Sequence, residues 1–300
     1  MELLLKPKIA LFPKGYMDAL SNGEMSLFDW IKEAGELGSE GLELYPLFLK
    51  KTNEEYLQKI KDACLEYNLQ IPMMCSSPDF THPDPLYRAK EIAKMKKMID
   101  VMAFLGPEDF RSCRVLSGQD RPEISRENGI KWTVECIEAL LPYAMEKRVH
   151  LLIENHYKDG FWTYPEFALN AEIFFEIVNG ISSSWFGVNY DPSNAMFAGC
   201  DHVDFLDKVK DRLITMHASD RYLVAGYSLS DLKHQPVEGY PKALQHGVIG
   251  EGLIDYDAIF EILHSNQFTG WISIEDGING KEDLRKSLQF LKEKRNQYFQ

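Results

Sequence analysis

Short runs rich in β-branched and other apolar residues alternate along the chain with longer stretches whose apolar positions recur every three or four residues. The first pattern predicts buried strands and the second amphipathic helices. Eight runs read as strands: KIALFP near 8–13, GLELYP at 41–46, LQIPMMC at 69–75, SCRVLS at 112–117, VHLLIE at 149–154, WFGVNYD at 185–191, RLITMHA at 212–218 and GWISIED at 270–276. Segments such as SLFDWIKEAGELG, TNEEYLQKIKDACLEYN, PLYRAKEIAKMKKMIDVMAFLG, NGIKWTVECIEALLPYAMEK, IDYDAIFEILHSN and KEDLRKSLQFLKEKRN read as helices between and after them, several stopping at Gly or Asn. No Pro/Ser-rich linker, low-complexity tract or repeat breaks the alternation. The pattern therefore predicts an α/β fold in which residues 1–300 form one (β/α)8 TIM barrel.

That architecture says where chemistry can sit, because active sites of such barrels lie at the C-terminal ends of the strands. The fifth strand ends at Glu154, the sixth at Asp191, the seventh at His217 and the eighth at Glu275. Three carboxylates and an imidazole from consecutive strands then converge, and carboxylates that close repel one another unless protonated or neutralised by a cation. One divalent ion held by Glu154, Asp191, His217 and Glu275 resolves the conflict. Oxygen-rich ligation with one imidazole and no thiolate favours Mn2+, with Mg2+, Co2+ or Zn2+ as alternatives.

Further candidates surround these ligands. His156 lies two residues after Glu154, a step that on a continuing strand returns to the same face, so its imidazole is a candidate general acid or base. A surface-loop histidine with no task is the alternative. The aromatic loop that follows, with Tyr157, Phe161, Trp162, Tyr164 and Phe167, either packs as a minor core or offers Trp162 or Tyr164 as a platform for a flat apolar ligand group. His82, His246 and Arg221 sit in loops on the catalytic side as candidate substrate contacts, and Glu43 ends the second strand. The segment 220–250 is longer than a crossover needs and is expected to be a lid or a partner contact, with Tyr222, Tyr227 and Tyr240 as anchors.

Charge narrows the partners. With 33 basic and 46 acidic side chains the net charge is -13, which repels phosphate backbones and anionic membrane surfaces. MELLLKP is too short an apolar run for a signal peptide, and no stretch approaches membrane-spanning length, so a cytoplasmic location is expected. Cys64, Cys75, Cys113, Cys136 and Cys200 are odd in number and show no CxxC spacing, as expected of reduced core thiols.

The pieces LLIEN, VNYDPSN, MHASD, GVIGEGLIDYDAIFEIL and WISIED resemble the xylose-isomerase-like barrel superfamily of sugar phosphate isomerases and epimerases, which also includes repair enzymes of the endonuclease IV type. The resemblance implies Glu154, Asp191, His217 and Glu275 as ligands of a single divalent ion, usually manganese in the sugar enzymes. It has departures. Lys158 and Asn194 stand where many ketose epimerases carry a further Glu and His, and Asn194 and Leu244 stand where the nucleases carry extra zinc ligands. The stretch ENHYKDGFWTYPEFA looks like the α-subunit of bacterial C-glycoside deglycosidases, which implies Mn2+ on the oxygens of a 3-oxo-glucoside, His156 on the aglycone proton and a smaller β-subunit as partner.

These readings lead to an enzyme that removes the proton beside the carbonyl of a keto-sugar, giving an enediolate, with Glu154, Glu275 and His156 as acid-base groups. Expulsion of an aromatic leaving group from the next carbon is the expected outcome. A ketose isomerase, epimerase or inosose-type dehydratase is the alternative, and a non-catalytic sugar-binding subunit a further one. A hetero-oligomer with the smaller subunit is expected.

Overall fold

The computed structural model describes residues 6–229, 231 and 242–300. Its strands are β1 (Lys8–Leu11), β2 (Gly41–Leu42), β3 (Met73–Cys75), β4 (Ser112–Val115), β5 (His150–Glu154), β6 (Phe186–Tyr190), β7 (Leu213–Ala218), β8 (Arg221–Leu223), β9 (Leu244–His246) and β10 (Trp271–Ile274). Every run read as a strand contains one of them. Eight run parallel in the order β2-β1-β10-β7-β6-β5-β4-β3. Parallel bridges from Gly41 to Gln70 and from Leu44 to Met74 join the two ends, so the sheet closes into a TIM barrel.

The strands read as apolar runs because helices cover the outside of the barrel while side chains fill the inside; every residue of β4 and of β6 is buried. The helix Leu27–Glu36 shows how the cover forms. Ser26 and Asp29 make a reciprocal capping box at its start, and Leu27, Trp30, Ile31 and Ala34 form the buried stripe. Where β6 meets β7 the register shifts between Val188 and Asn189, a bulge two residues before Asp191. The strands β5, β6, β7 and β10 are consecutive neighbours, so their carboxyl ends form one wall of the mouth.

The pattern did not predict β8 and β9. Each is a three-residue strand, and they pair antiparallel, Arg221 opposite His246, inside the long segment after β7. So short a pair across so long a gap has no local periodicity to betray it. Residues 230 and 232–241, including Tyr240, and residues 1–5 at the start of MELLLKP lie outside the described residues. No described helix is long and apolar enough to cross a membrane. The cysteines form no disulfide; four are buried and Cys200 is half-buried.

Candidate metal centre

One donor atom from each of Glu154, Asp191, His217 and Glu275 lies within 4.8 Å of the others, and all four residues are buried. Their local positions explain the convergence. Glu154 is the last residue of β5, His217 the penultimate residue of β7, and Glu275 follows β10 directly. Asp191 follows β6 and caps the helix Pro192–Phe197 by accepting from Asn194 N at 2.9 Å; Ser219 Oγ donates to the same oxygen at 2.8 Å. Asn155 clamps the Asp191 backbone from both sides, its amide meeting Asp191 O at 2.7 Å and Asp191 N at 2.8 Å.

The electrostatics of this donor set fit a cation. Burial, reinforced by the charges of Glu275 and Glu154, pushes the Asp191 carboxyl up to about 7, so its charged form is disfavoured unless positive charge arrives. Burial also opposes the charge on Glu154 and Glu275, but neighbouring cations outweigh it and hold both below the usual carboxylate range. Those cations are His217, whose Nδ1 lies 3.0 Å from Glu275 and 3.3 Å from Glu154, together with Arg114 at 2.6 Å from Glu154 and Lys14 at 2.9 Å from Glu275. Burial disfavours a charged His217, yet Glu154, Glu43 and Glu275 raise it well above an ordinary imidazole. A divalent ion held by these residues would supply the positive charge that Asp191 lacks, with a neutral His217 as its nitrogen donor.

Arg114 and Lys14 were not singled out from sequence. Arg114 had a signal, a lone charge inside the strand run SCRVLS, whereas Lys14 follows β1 as any surface lysine could. The Arg114 guanidinium is buried and fully engaged, Nε donating to Ser76 O at 3.2 Å, Nη2 to Ser77 Oγ at 3.1 Å and Nη1 to Glu154.

His156 is buried beside this group, not on the surface. Its Nδ1 lies 3.4 Å from Glu166 Oε2, and neither atom has a closer hydrogen-bond partner. Glu166 is held by Ser117, whose backbone N and Oγ donate to Oε1 at 2.8 and 3.0 Å. Burial lowers the His156 imidazole, but Glu154 and Glu166 more than compensate and raise it. Glu166 is a third residue that sequence reading missed, ten positions further along a loop that turns back.

The aromatic loop divides. Tyr157 and Phe167 are buried, Phe167 so closely over Gly129 that a Cβ there would stand 2.2 Å from the ring. Phe161 and Trp162 instead line a cavity of about 370 Å3 with Tyr45, Ser76, Ser77 and Met95; Tyr164 is not in its lining. Phe161 stacks on Tyr45 with ring centroids 6.3 Å apart. Ser76 and Ser77 connect this apolar cavity to the ligand group, since both also hold Arg114.

The remaining candidates have other contacts. Arg221 is buried, in a knot with His246 and Asp276, and lies 5.5 Å from the Phe197 ring. His246 Nδ1 sits 2.7 Å from Asp276. His82 accepts from Asp84 N at 3.2 Å and stacks on Tyr87 at the start of the helix Pro85–Leu105. Tyr222 and Tyr227 are exposed. Lys158 donates to Thr163 O at 3.0 Å, Asn194 lies 3.4 Å from Glu154, and Leu244 is buried in the ribbon.

The family profile described as Xylose isomerase-like TIM barrel matches residues 31–294. An inosose dehydratase of Bacillus thuringiensis (strain Al Hakam) is 24% identical over 159 residues, 50% of this chain and 50% of that protein. The chain thus spans about half the length of the curated relatives it matches. Among solved structures, a D-tagatose 3-epimerase-like protein superposes with a TM-score of 0.73 at 18% identity, covering 96% of this chain and 97% of that one. A 3-keto-D-glucoside 4-epimerase from E. coli superposes with a TM-score of 0.68 at 14% identity, covering 96% and 100%. At these identities the likeness is one of fold.

Proposed function

The chain belongs to the xylose isomerase-like TIM barrel family, and on that premise we propose that it is a divalent-metal-dependent lyase, eliminating a group from the carbon next but one to the carbonyl of an oxidised sugar ring. The preferred leaving group is an aromatic aglycone, as in a 3-oxo-glucoside. The observation that carries the reading is the apolar cavity of about 370 Å3, lined by Tyr45, Phe161 and Trp162 and joined to Glu154 through Ser76, Ser77 and Arg114. A simple ketose has no use for such a cavity, whereas a flat aglycone fills it while the sugar lies over the ligand group.

Mn2+ held by Glu154, Asp191, His217 and Glu275 would polarise the carbonyl and neutralise charge as the neighbouring C–H is broken. Glu154 or Glu275 takes the carbon proton, the electron pair of that C–H bond becomes a double bond to the next carbon, and the bond from that next carbon to the aglycone breaks with its electron pair going to the leaving group. His156 then gives the departing atom a proton, its Nδ1 facing Glu166. Arg114 keeps Glu154 ionised. The exposed Tyr222 and Tyr227 are proposed contacts for a smaller β-subunit.

Inosose dehydration, supported by the matched relatives, is the same elimination with water leaving, and is the second reading. Incubating the purified chain and Mn2+ with an aryl 3-oxo-glucoside, an inosose and a simple ketose separates them. Release of free aglycone is expected. Loss of water from the inosose alone would move the assignment to the dehydratase, and ketose interconversion alone would move it to an isomerase or epimerase.

A further inference from the structure

Glu43 is outside the four-residue ligand group, yet it is buried against it. Its Oε2 lies 2.8 Å from His217 Nε2 and accepts from Cys75 Sγ at 3.0 Å, while Oε1 accepts from Ser273 Oγ. With Glu43 accepting from Ser273 on one oxygen and Cys75 on the other, the same carboxylate takes the Nε2–H of His217. Nδ1 is then the nitrogen turned toward the other ligands, 3.0 Å from Glu275 and 3.3 Å from Glu154. The Glu43 carboxylate is held on both oxygens by groups from two other strands, so the contact does not depend on the loop after β2.

We propose that Glu43 is a positioning residue: it fixes the ring and tautomer of His217 so that the Nδ1 lone pair faces the cation, with Ser273 and Cys75 fixing Glu43 in turn. This inference rests on the metal reading above. An imidazole without a second partner can turn about its Cβ–Cγ bond and exchange tautomers, and losing such a partner typically weakens metal binding by about 10–100-fold. Cys75 serves the same end as a thiol donor to Glu43.

The test measures Mn2+ affinity of the full chain by competition with a chelator, for wild type, Glu43→Gln, Glu43→Asp and Ser273→Ala. Glu43→Gln should weaken binding by about 10–100-fold and Ser273→Ala by a smaller factor in the same direction. Glu43→Asp, which keeps the carboxylate, should recover part of the loss. In the Zn2+-loaded protein the imidazole 15N signals of His217 should report a single Nε2–H tautomer in wild type and a broadened or altered pair in Glu43→Gln. Should Glu43→Gln fail to fold, Ser273→Ala decides by its affinity and 15N signals. Wild type that binds no divalent ion would overturn the metal reading itself. Wild-type binding that survives both Glu43→Gln and Ser273→Ala, or weakens with the His217 signals unchanged, would overturn the role of Glu43 and leave the metal reading standing.

Discussion

Two buried acidic clusters stand side by side at the mouth of the barrel, and they start from the same strand ends. One is the ligand group of Glu154, Asp191, His217 and Glu275. The other begins three residues after His217, at Asp220, and one after Glu275, at Asp276, and it draws in Arg221 and His246. Their acids are satisfied in opposite ways. Asp220 accepts four backbone N–H groups, from Arg221 at 2.8 Å, Gly250 at 2.9 Å, Gly252 at 3.0 Å and Ile254 at 3.1 Å. Asp276 takes Asp220 N at 2.9 Å and His246 at 2.7 Å. The backbone comes so close that a Cβ at Gly252 would meet Asp220 Oδ1 at 2.2 Å. In the ligand group, by contrast, Glu154 and Glu275 lean on side-chain cations, and burial beside those two charges pushes Asp191 up. Buried acids whose lone pairs are consumed by the backbone tie a loop down, and three buried acids with donor atoms within 4.8 Å of one another call for a cation.

The sharpest break of this comparison is Asp191→Asn. It should abolish Mn2+ binding and activity together, beyond the roughly 10–100-fold expected from losing an outer partner, as read by metal analysis and turnover. The same variant carries a pH signature. Because the folded Asp191 carboxyl is pushed up to about 7, its contribution to stability is fully present below the unfolded value of about 3.9 and lost as pH rises through the folded one. Metal-free wild type should therefore lose melting temperature relative to metal-free Asp191→Asn between those two values. A pH-independent difference would mean that the ligand group is not short of positive charge.

His156→Ala should keep the metal and lose about 10²–10⁴-fold in cleavage of an aryl 3-oxo-glucoside, measured as kcat with metal content alongside. Wild-type kcat would remove His156 from the chemistry. Asp220→Ala tests the other cluster. Loss of its buried hydrogen bonds should lower stability by about 2–4 kcal/mol, followed by denaturant unfolding, with Mn2+ affinity little changed. If Asp220→Ala instead releases the metal from a protein of unchanged stability, the distinction between the clusters collapses. The smallest effect is expected from Trp162→Ala, a rise in KM of roughly 3–10-fold for aryl substrates with none for an inosose. Equal effects on both would mean that the cavity does not hold the aglycone.

Much of the barrel and of its ligand group is legible in the amino-acid pattern. The eight strand runs each carry a strand, and the four candidate ligands that converge could be named because each closes an apolar run at a point the barrel fixes. Arg221 and His246 show what the same logic leaves out. As polar residues just past strand ends they read as candidate substrate contacts, and the fold also joins them to Asp276, Phe197 and each other, contacts no local pattern announces. The aromatic loop could be read only as core or platform. Phe167 packs over Gly129 as core, while Phe161 stacks on Tyr45 at the edge of a cavity.

The sequence by itself determined the period of each element, the closed parallel architecture those periods require, and the chemistry gathered on one wall. These are local or nearly local properties, set by which faces are apolar and which residue ends each run. Only the tertiary structure decided which charges meet. Arg114 reaches Glu154 across 40 positions, Glu43 reaches His217 across 174 and Lys14 reaches Glu275 across 261. The ribbon of β8 and β9, the turn that returns Glu166 to His156, and the cavity shared by Tyr45, Met95 and Trp162 are of the same kind. No periodicity encodes such pairs, since each partner satisfies its own strand or loop equally well without the other. Closure of the barrel brings them within hydrogen-bond reach, and in a buried mouth an unpaired charge or polar atom is too costly to leave alone.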